Sequence, residues 1–253
     1  MAQRALPLPA ARLGRAVRTA GAPHEVSGVV LLLPDGEADS RRRSSPLSYA
    51  AQLPPARALA RSGEGDGLAV HVLRYRWRGW NAEHAHPAQD AGWAVDEVQR
   101  LYGDVPVCLA GHGMGGRAAL RAAGHGAVTS VLAMAPWLPE RAGAEPEPVR
   151  QLAGRRVLIV HGTNDARTDP ELSYRLAERA KKSNRDVCRF EVHSDGHALR
   201  QHRSEVLALA GDFVRGSLFA RSYARPVADA LAAPPPLGLR MPLAAGFGRS
   251  LRH

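Results

Sequence analysis

The sequence predicts an α/β protein, a single domain on a mostly parallel, doubly wound sheet. Three observations carry this expectation. Six short runs rich in Val, Ile and Leu recur, at residues 28–33, 68–73, 105–110, 130–135, 156–160 and 186–192. They are near-continuously apolar rather than alternating, as strands buried on both faces are. Segments with helical spacing separate most of them, which implies a parallel sheet covered on both faces.

The elements follow in order. After the first run, residues 49–61 carry Ala and Leu at mixed helical spacing, with Pro54 and Pro55 weakening the centre. Beyond the second run, Leu73-Arg-Tyr-Arg-Trp-Arg-Gly-Trp80 alternates aromatic and cationic residues with period two, as a strand running past the sheet edge would. The alternative is an arginine that guides an anionic substrate. Residues 91–101 place Trp93, Val95, Val98 and Leu101 near one stripe, and residues 117–123 form a short helix after the third run. Asp169 before Pro170 is an N-cap with proline at N1, opening a helix over 170–182. A long helix over 199–219 closes the domain. Cys108 and Cys188 fall inside strands and read as buried free thiols in a reducing cytosol.

Residues 25–220 are thus expected to be the domain. Residues 1–24 form a basic tail, and residues 221–253, with three consecutive prolines and scattered glycines, form a second tail expected to be disordered. The formal charge of +10 is concentrated at the ends, +4 in each tail and +2 between them. Only Lys181 and Lys182 are lysines, so the arginine excess reflects a GC-rich bacterial coding bias, and no nucleic-acid partner is expected. No apolar run is long enough to span a membrane, and prolines interrupt the N-terminal apolar patch. The expectation is a cytoplasmic protein with no membrane partner.

The stretch Gly111-His-Gly113-Met-Gly115-Gly116 admits two readings. It fits the dinucleotide fingerprint G-x-G-x-x-G, and it fits the nucleophile elbow G-x-S-x-G with glycine in place of serine. The cofactor reading needs an acidic residue at the end of the next strand, but that strand runs into Pro136-Trp137, and no carboxylate comes before Glu140. No cofactor is therefore expected. The elbow reading asks for an acid and then a histidine, each after a later strand. His161-Gly-Thr-Asn-Asp165 follows the fifth run, and His193-Ser-Asp-Gly-His197 follows the sixth.

On these three motifs, in this order, residues 27–218 resemble the α/β-hydrolase superfamily, in particular the compact, lid-poor members common in actinobacteria. The resemblance implies that Gly113 stands where the serine nucleophile would be, that Asp165 is the triad acid and that His197 is the general base. It implies an oxyanion hole made by the N–H of Met114 and another from the loop Leu33-Pro-Asp35-Gly36-Glu37. Family members often have glycine where Asp35 stands. A carboxylate there would oppose an oxyanion unless it points to solvent, the favoured reading.

Glycine accepts the strained elbow dihedrals but offers no nucleophile, so ordinary serine-esterase turnover is not expected. In serine proteases that loss costs roughly 10⁶ in turnover. No substitute is evident: Cys108 lies inside a strand, and Ser44, Ser45 and Ser48 sit in an arginine-rich turn. Three readings stay open. The first is non-covalent acid–base chemistry on a small organic molecule by His197 and Asp165, as in a lyase, cyclase, dehydratase or water-mediated hydrolase. The second is a non-catalytic binding or scaffold protein. The third is a serine esterase-like hydrolase whose serine was changed to Gly113. His112 reads as packing beside the turn, with pocket lining as the alternative. Trp137, Leu138 and Trp80 read as pocket lining or core. His84-Ala-His86 could seed a metal site, with Asp90 further along the same segment, but no third ligand is clear, so no metal site is expected.

Overall fold

In the computed structural model, which describes residues 10–139 and 145–249, the six apolar runs become the six central strands. In chain order the elements are β1 (Arg12–Leu13), β2 (Gly28–Leu33), α1 (Pro46–Ala51), α2 (Leu53–Ser62), β3 (Leu68–Arg74), α3 (His86–Tyr102), β4 (Val107–His112), α4 (Met114–Ala122), β5 (Val128–Met134), β6 (Arg156–Gly162), α5 (Pro170–Lys181), β7 (Val187–Val192), α6 (Arg203–Phe219), α7 (Arg225–Ala232) and β8 (Met241–Pro242). The sheet order is β1-β3-β2-β4-β5-β6-β7-β8, parallel throughout except for β1. Both edge strands are two residues long, and β8 carries a proline, which limits edge-to-edge pairing.

Successive side chains of each strand enter opposite layers. Val29, Leu31 and Leu33 pack with α3, α4 and α5, while Val30 and Leu32 pack with α2, α6 and α7. β2 has β3 on one side and β4 on the other, so the strand order reverses between β2 and β4. The carboxyl ends of those two strands form the crevice where ligands bind in open α/β sheets. Asp35 follows β2 there, and Gly113 follows β4.

Several expected boundaries shift for identifiable reasons. The helix expected at 117–123 starts at Met114, because Gly115 and Gly116 lie within it and carry no periodic signal. They permit close packing: a Cβ at Gly111 would collide with the Gly115 backbone and lie 2.7 Å from Gly116 N. The helix expected from 199 starts at Arg203. The chain before it wraps the buried Asp195 carboxylate, which accepts from the N–H groups of Gly196, Arg200 and His202. Asp169 caps α5 as expected, accepting from Glu171 N. Both cysteines are buried and free, and burial pushes each thiol up to about 12.

The tails differ from expectation. Residues 12–17 run antiparallel to β3 through β1 and a Val17–Val70 bridge. Beyond residue 220, α7 packs on the sheet and β8 extends it, with Val227, Ala230 and Leu239 fully buried. This segment folds through long-range contacts that no local period announces. The buried Arg189 guanidinium donates to Leu239 O at 3.0 Å, and Lys181 Nζ donates to Leu231 O at 2.7 Å. Residues 1–9 and 250–253, the outer parts of both expected tails, lie outside the described residues, as does Glu140. Among the described residues no helix is long and apolar enough to cross a membrane.

Ending the chain at residue 220 is expected to lower its unfolding midpoint in urea. Val227 and Leu239 alone account for at least about 3 kcal/mol at roughly 1.5–3 kcal/mol per fully buried side chain. An unchanged midpoint would contradict this packing.

Candidate active site

The turn at Gly113 is a sharp one. It has φ 55° and ψ −120°, and it leads directly from β4 into α4. Its N–H donates to Met134 O at 3.0 Å, and its carbonyl accepts from Trp137 N at 2.9 Å, which ties the turn to the end of β5. A side chain here would project above the carboxyl edge of the sheet, but Asp35 already occupies that space. A Cβ at position 113 would lie no more than 3.0 Å from Cγ and from both carboxylate oxygens of Asp35.

The expectation that Asp35 points to solvent is therefore corrected. Asp35 Oδ1 accepts from Met114 N and Gly36 N, each at 2.8 Å. These are donors from the two segments expected to form the oxyanion hole, and the protein's own carboxylate fills them. The reason is electrostatic: two convergent N–H groups at a helix start form an anion site, and the nearest anion is Asp35. Arg167 adds an ion pair, its Nη1 lying 3.1 Å from Asp35 Oδ2. Burial would raise the Asp35 carboxyl. The contacts from His197, Met114, Arg167 and Gly36 outweigh it and hold the group at about 2.

Asp165 and His197 meet as their motifs require. His197 Nδ1 donates to Asp165 Oδ2 at 2.9 Å. Asp165 Oδ1 accepts from the N–H groups of Arg167 and Thr168, and Oδ2 also accepts from Thr168 Oγ1 at 2.6 Å. Burial opposes the charge on Asp165, but the Thr168 hydroxyl and N–H, His197 and Arg167 outweigh it and hold this carboxyl at about 2. The buried His161 supports Asp165 from behind, its Nε2 lying 3.2 Å from Oδ2. Desolvation and the nearby Arg189 lower His161 to about 4, so it stays neutral.

His197 Nε2 has no hydrogen-bond partner and lies 3.7 Å from Asp35 Oδ2. That distance is electrostatic contact rather than a hydrogen bond. Burial disfavours the imidazolium, yet the two flanking carboxylates outweigh it and raise the His197 pKa. His112 Nε2 donates to His197 O at 2.7 Å, and the two rings meet edge to face. His112 thus holds the loop that carries His197, in line with the packing role expected of it.

Asp35, Gly36, Met114, Trp137, Arg167 and His197 line a cavity of about 310 Å³. A neighbouring cavity of about 940 Å³ shares Trp137 and adds Trp80 and Leu138. Trp80 is largely core, with the Arg117 guanidinium 4.0 Å from its ring centroid. The arginines at and beyond the end of β3 have structural partners: Arg74 stacks on Tyr49, Arg76 pairs with the buried Asp90, and Arg78 pairs with Glu37. Ser45 caps α1. His86 bonds Asn81, so His84, His86 and Asp90 do not converge. Among the described residues, Asp35, His112 and His197 bring donor atoms within 4.8 Å of one another. A cation there would have to displace Arg167 from Asp35 and compete with hydrogen bonds already made. Arg167 and Thr168 were not singled out in the sequence. Their only signal is their place between Asp165 and the Asp169 cap.

The sequence matches no family model and no curated protein. Solved structures do match. An α/β serine hydrolase homologue from Coxiella burnetii is 16% identical over 81% of this chain and 91% of its own, with a TM-score of 0.56. XC6422 from Xanthomonas campestris, an α/β serine hydrolase without a lid, is 14% identical over 86% and 95%, with a TM-score of 0.59. The chain has the α/β-hydrolase fold. Est1E from Butyrivibrio proteoclasticus is also similar, 14% identical over 83% and 94%, with a TM-score of 0.56. At these identities the likeness is one of fold. Within that fold, Gly113 lies in the turn from β4 into α4, Asp35 in the loop after β2, and His197 and Asp165 face them.

In an NMR titration, the His197 imidazole is expected to have a midpoint above 6.5, and Asp35→Asn should move it down by removing one flanking anion. The charged form then stabilises the fold below that midpoint, and the contribution fades as pH rises through it. A wild-type midpoint at or below 6.5 would contradict the flanking-carboxylate geometry.

Proposed function

We propose that the protein is a small-molecule enzyme in which His197, oriented by Asp165, moves protons beside the cavity while residue 113 supplies no nucleophile. One observation carries this reading: His197 keeps the full orienting apparatus of a working base. Asp165 holds its Nδ1 in one tautomer, and the ring lines the cavity with its buried Nε2 left without a hydrogen-bond partner beside Asp35. Chemistry open to such a group includes elimination, hydration, ring closure and hydrolysis by water, none of which needs a cofactor. The substrate is a small organic molecule, limited by the cavity of about 310 Å³ that Trp137 helps to line.

A second reading, a non-catalytic binding protein, is favoured by one fact. Met114 N–H, the donor a substrate oxyanion would use, is already bound to Asp35. The changed-serine reading faces the same obstacle, because a serine side chain at 113 would collide with the Asp35 carboxylate.

Two measurements separate the readings. In a screen of small esters, lactones, epoxides and enones, any activity found should fall about 100-fold or more in His197→Ala. Unchanged turnover in that variant would contradict the proposal, and an inert wild type would support the binding reading. Gly113→Ser alone should hydrolyse p-nitrophenyl acetate poorly, and the double variant Asp35→Gly/Gly113→Ser should do so at least about tenfold faster, because the oxyanion donors are freed. Equal rates would show that Asp35 does not block the site.

A further inference from the structure

We propose that the larger cavity, of about 940 Å³, is a binding site for an organic monocarboxylate, with Arg117 and Arg121 of α4 holding the carboxylate and Trp80 and Trp137 the apolar body. The inference rests on and deepens the reading of a small-molecule enzyme, because it names a substrate class, yet binding here can be measured without turnover.

A buried arginine with unused donors carries the inference. The Arg117 side chain is 9% exposed, and among the described residues its one hydrogen bond runs from Nε to Glu147 Oε2 at 2.6 Å. Its two Nη atoms have no acceptor there, and neither is sealed off from the cavity that Arg117 lines. Arg189 shows how a structural arginine is held in this fold. Its side chain is 1% exposed, and every nitrogen is used: Nε donates to Ser173 Oγ, Nη1 to Glu191 and Leu239 O, and Nη2 to Pro170 O. Buried donors without an acceptor are costly. A carboxylate entering the cavity supplies two oxygens that match the guanidinium fork.

Charge selects the class of ligand. Arg121, one helical turn after Arg117, donates from Nε to the other oxygen of the buried Glu147. Two guanidinium groups thus share one carboxylate, and the cavity floor keeps one positive charge. A monoanion neutralises it, whereas a dianion such as a phosphate ester would leave an excess of negative charge. Asp39, Arg41, Glu83 and Glu145 also line the cavity, but all four are exposed at its rim, where water and salt screen them within roughly 8–10 Å. The floor is aromatic as well as cationic. The Arg117 guanidinium lies 4.0 Å from the Trp80 ring centroid and 5.0 Å from that of Trp137, and the two rings meet edge to face. Such contacts use the face of the guanidinium and leave its edge for a carboxylate. Trp137 and Ala38 line both cavities, so this one adjoins the cavity of His197.

The test is isothermal titration calorimetry of the full chain with phenylacetate, and with phenylacetamide as its neutral counterpart. Phenylacetate should bind at least about tenfold more tightly, as one charge-assisted contact requires. Arg121→Gln, at a side chain already 36% exposed, should weaken phenylacetate about tenfold or more and leave phenylacetamide within about twofold. Arg117→Lys, which keeps a charge beside Glu147 but loses the fork, should act in the same direction, and Arg121→Gln decides if that variant fails to fold. No binding of phenylacetate, equal binding of acid and amide, or unchanged phenylacetate binding in folded Arg121→Gln would overturn the proposal. If His197-dependent turnover were found without Arg121-dependent binding of the acid, only this site would fall. If phenylacetate bound through Arg121 while the protein turned nothing over, the site would stand and the enzyme reading would fall.

Discussion

The carboxylate of Asp35 and any side chain at position 113 compete for one volume, and the arrangement of the site follows from that exclusion. Gly113 leaves the elbow empty above the sheet, with two backbone N–H groups converging on the space. An unfilled pair of donors at a helix start is an anion site, and Asp35 is placed by its loop to fill it. Glycine at 113 and aspartate at 35 are thus two halves of one arrangement. Each is hard to accommodate without the other. A side chain at 113 would collide with the carboxylate. Without the carboxylate, the donors would have no partner within the protein.

The same anion determines the chemistry of the histidine. His197 lies between two carboxylates, with Asp165 hydrogen-bonded to Nδ1 and Asp35 facing Nε2. The first sets the tautomer, and the second occupies the space above the turn at Gly113. Neutral His161 and Thr168 secure Asp165 from behind, and His112 holds the His197 backbone. This degree of support around His197 is the main reason for proposing that the site works, since a residual dyad would have no need of it.

Much of this was legible in the sequence. The six central strands, the order elbow, Asp165, His197 and the Asp169 cap follow from apolar runs and local turn chemistry, which are short-range signals. The direction of the Asp35 side chain was not legible. It depends on the N–H of Met114, 79 residues along the chain, and no local pattern encodes which way a loop carboxylate turns. The packing of residues 221–249 was missed for the same reason. Its anchors are the buried Arg189 and Lys181, which reach main-chain carbonyls some fifty residues away. Arg167 and Thr168 read as ordinary loop residues until the fold brings Asp35 and His197 beside them.

The exclusion between positions 35 and 113 can be measured without knowing any substrate, by a double-mutant cycle in urea denaturation. Overpacking the elbow should make Gly113→Ser cost roughly 1–3 kcal/mol in the wild-type background. In the Asp35→Gly background that cost should shrink, giving a coupling of at least about 1 kcal/mol. An equal cost of Gly113→Ser in both backgrounds would mean that Asp35 does not occupy the elbow, and the account of the site would fail.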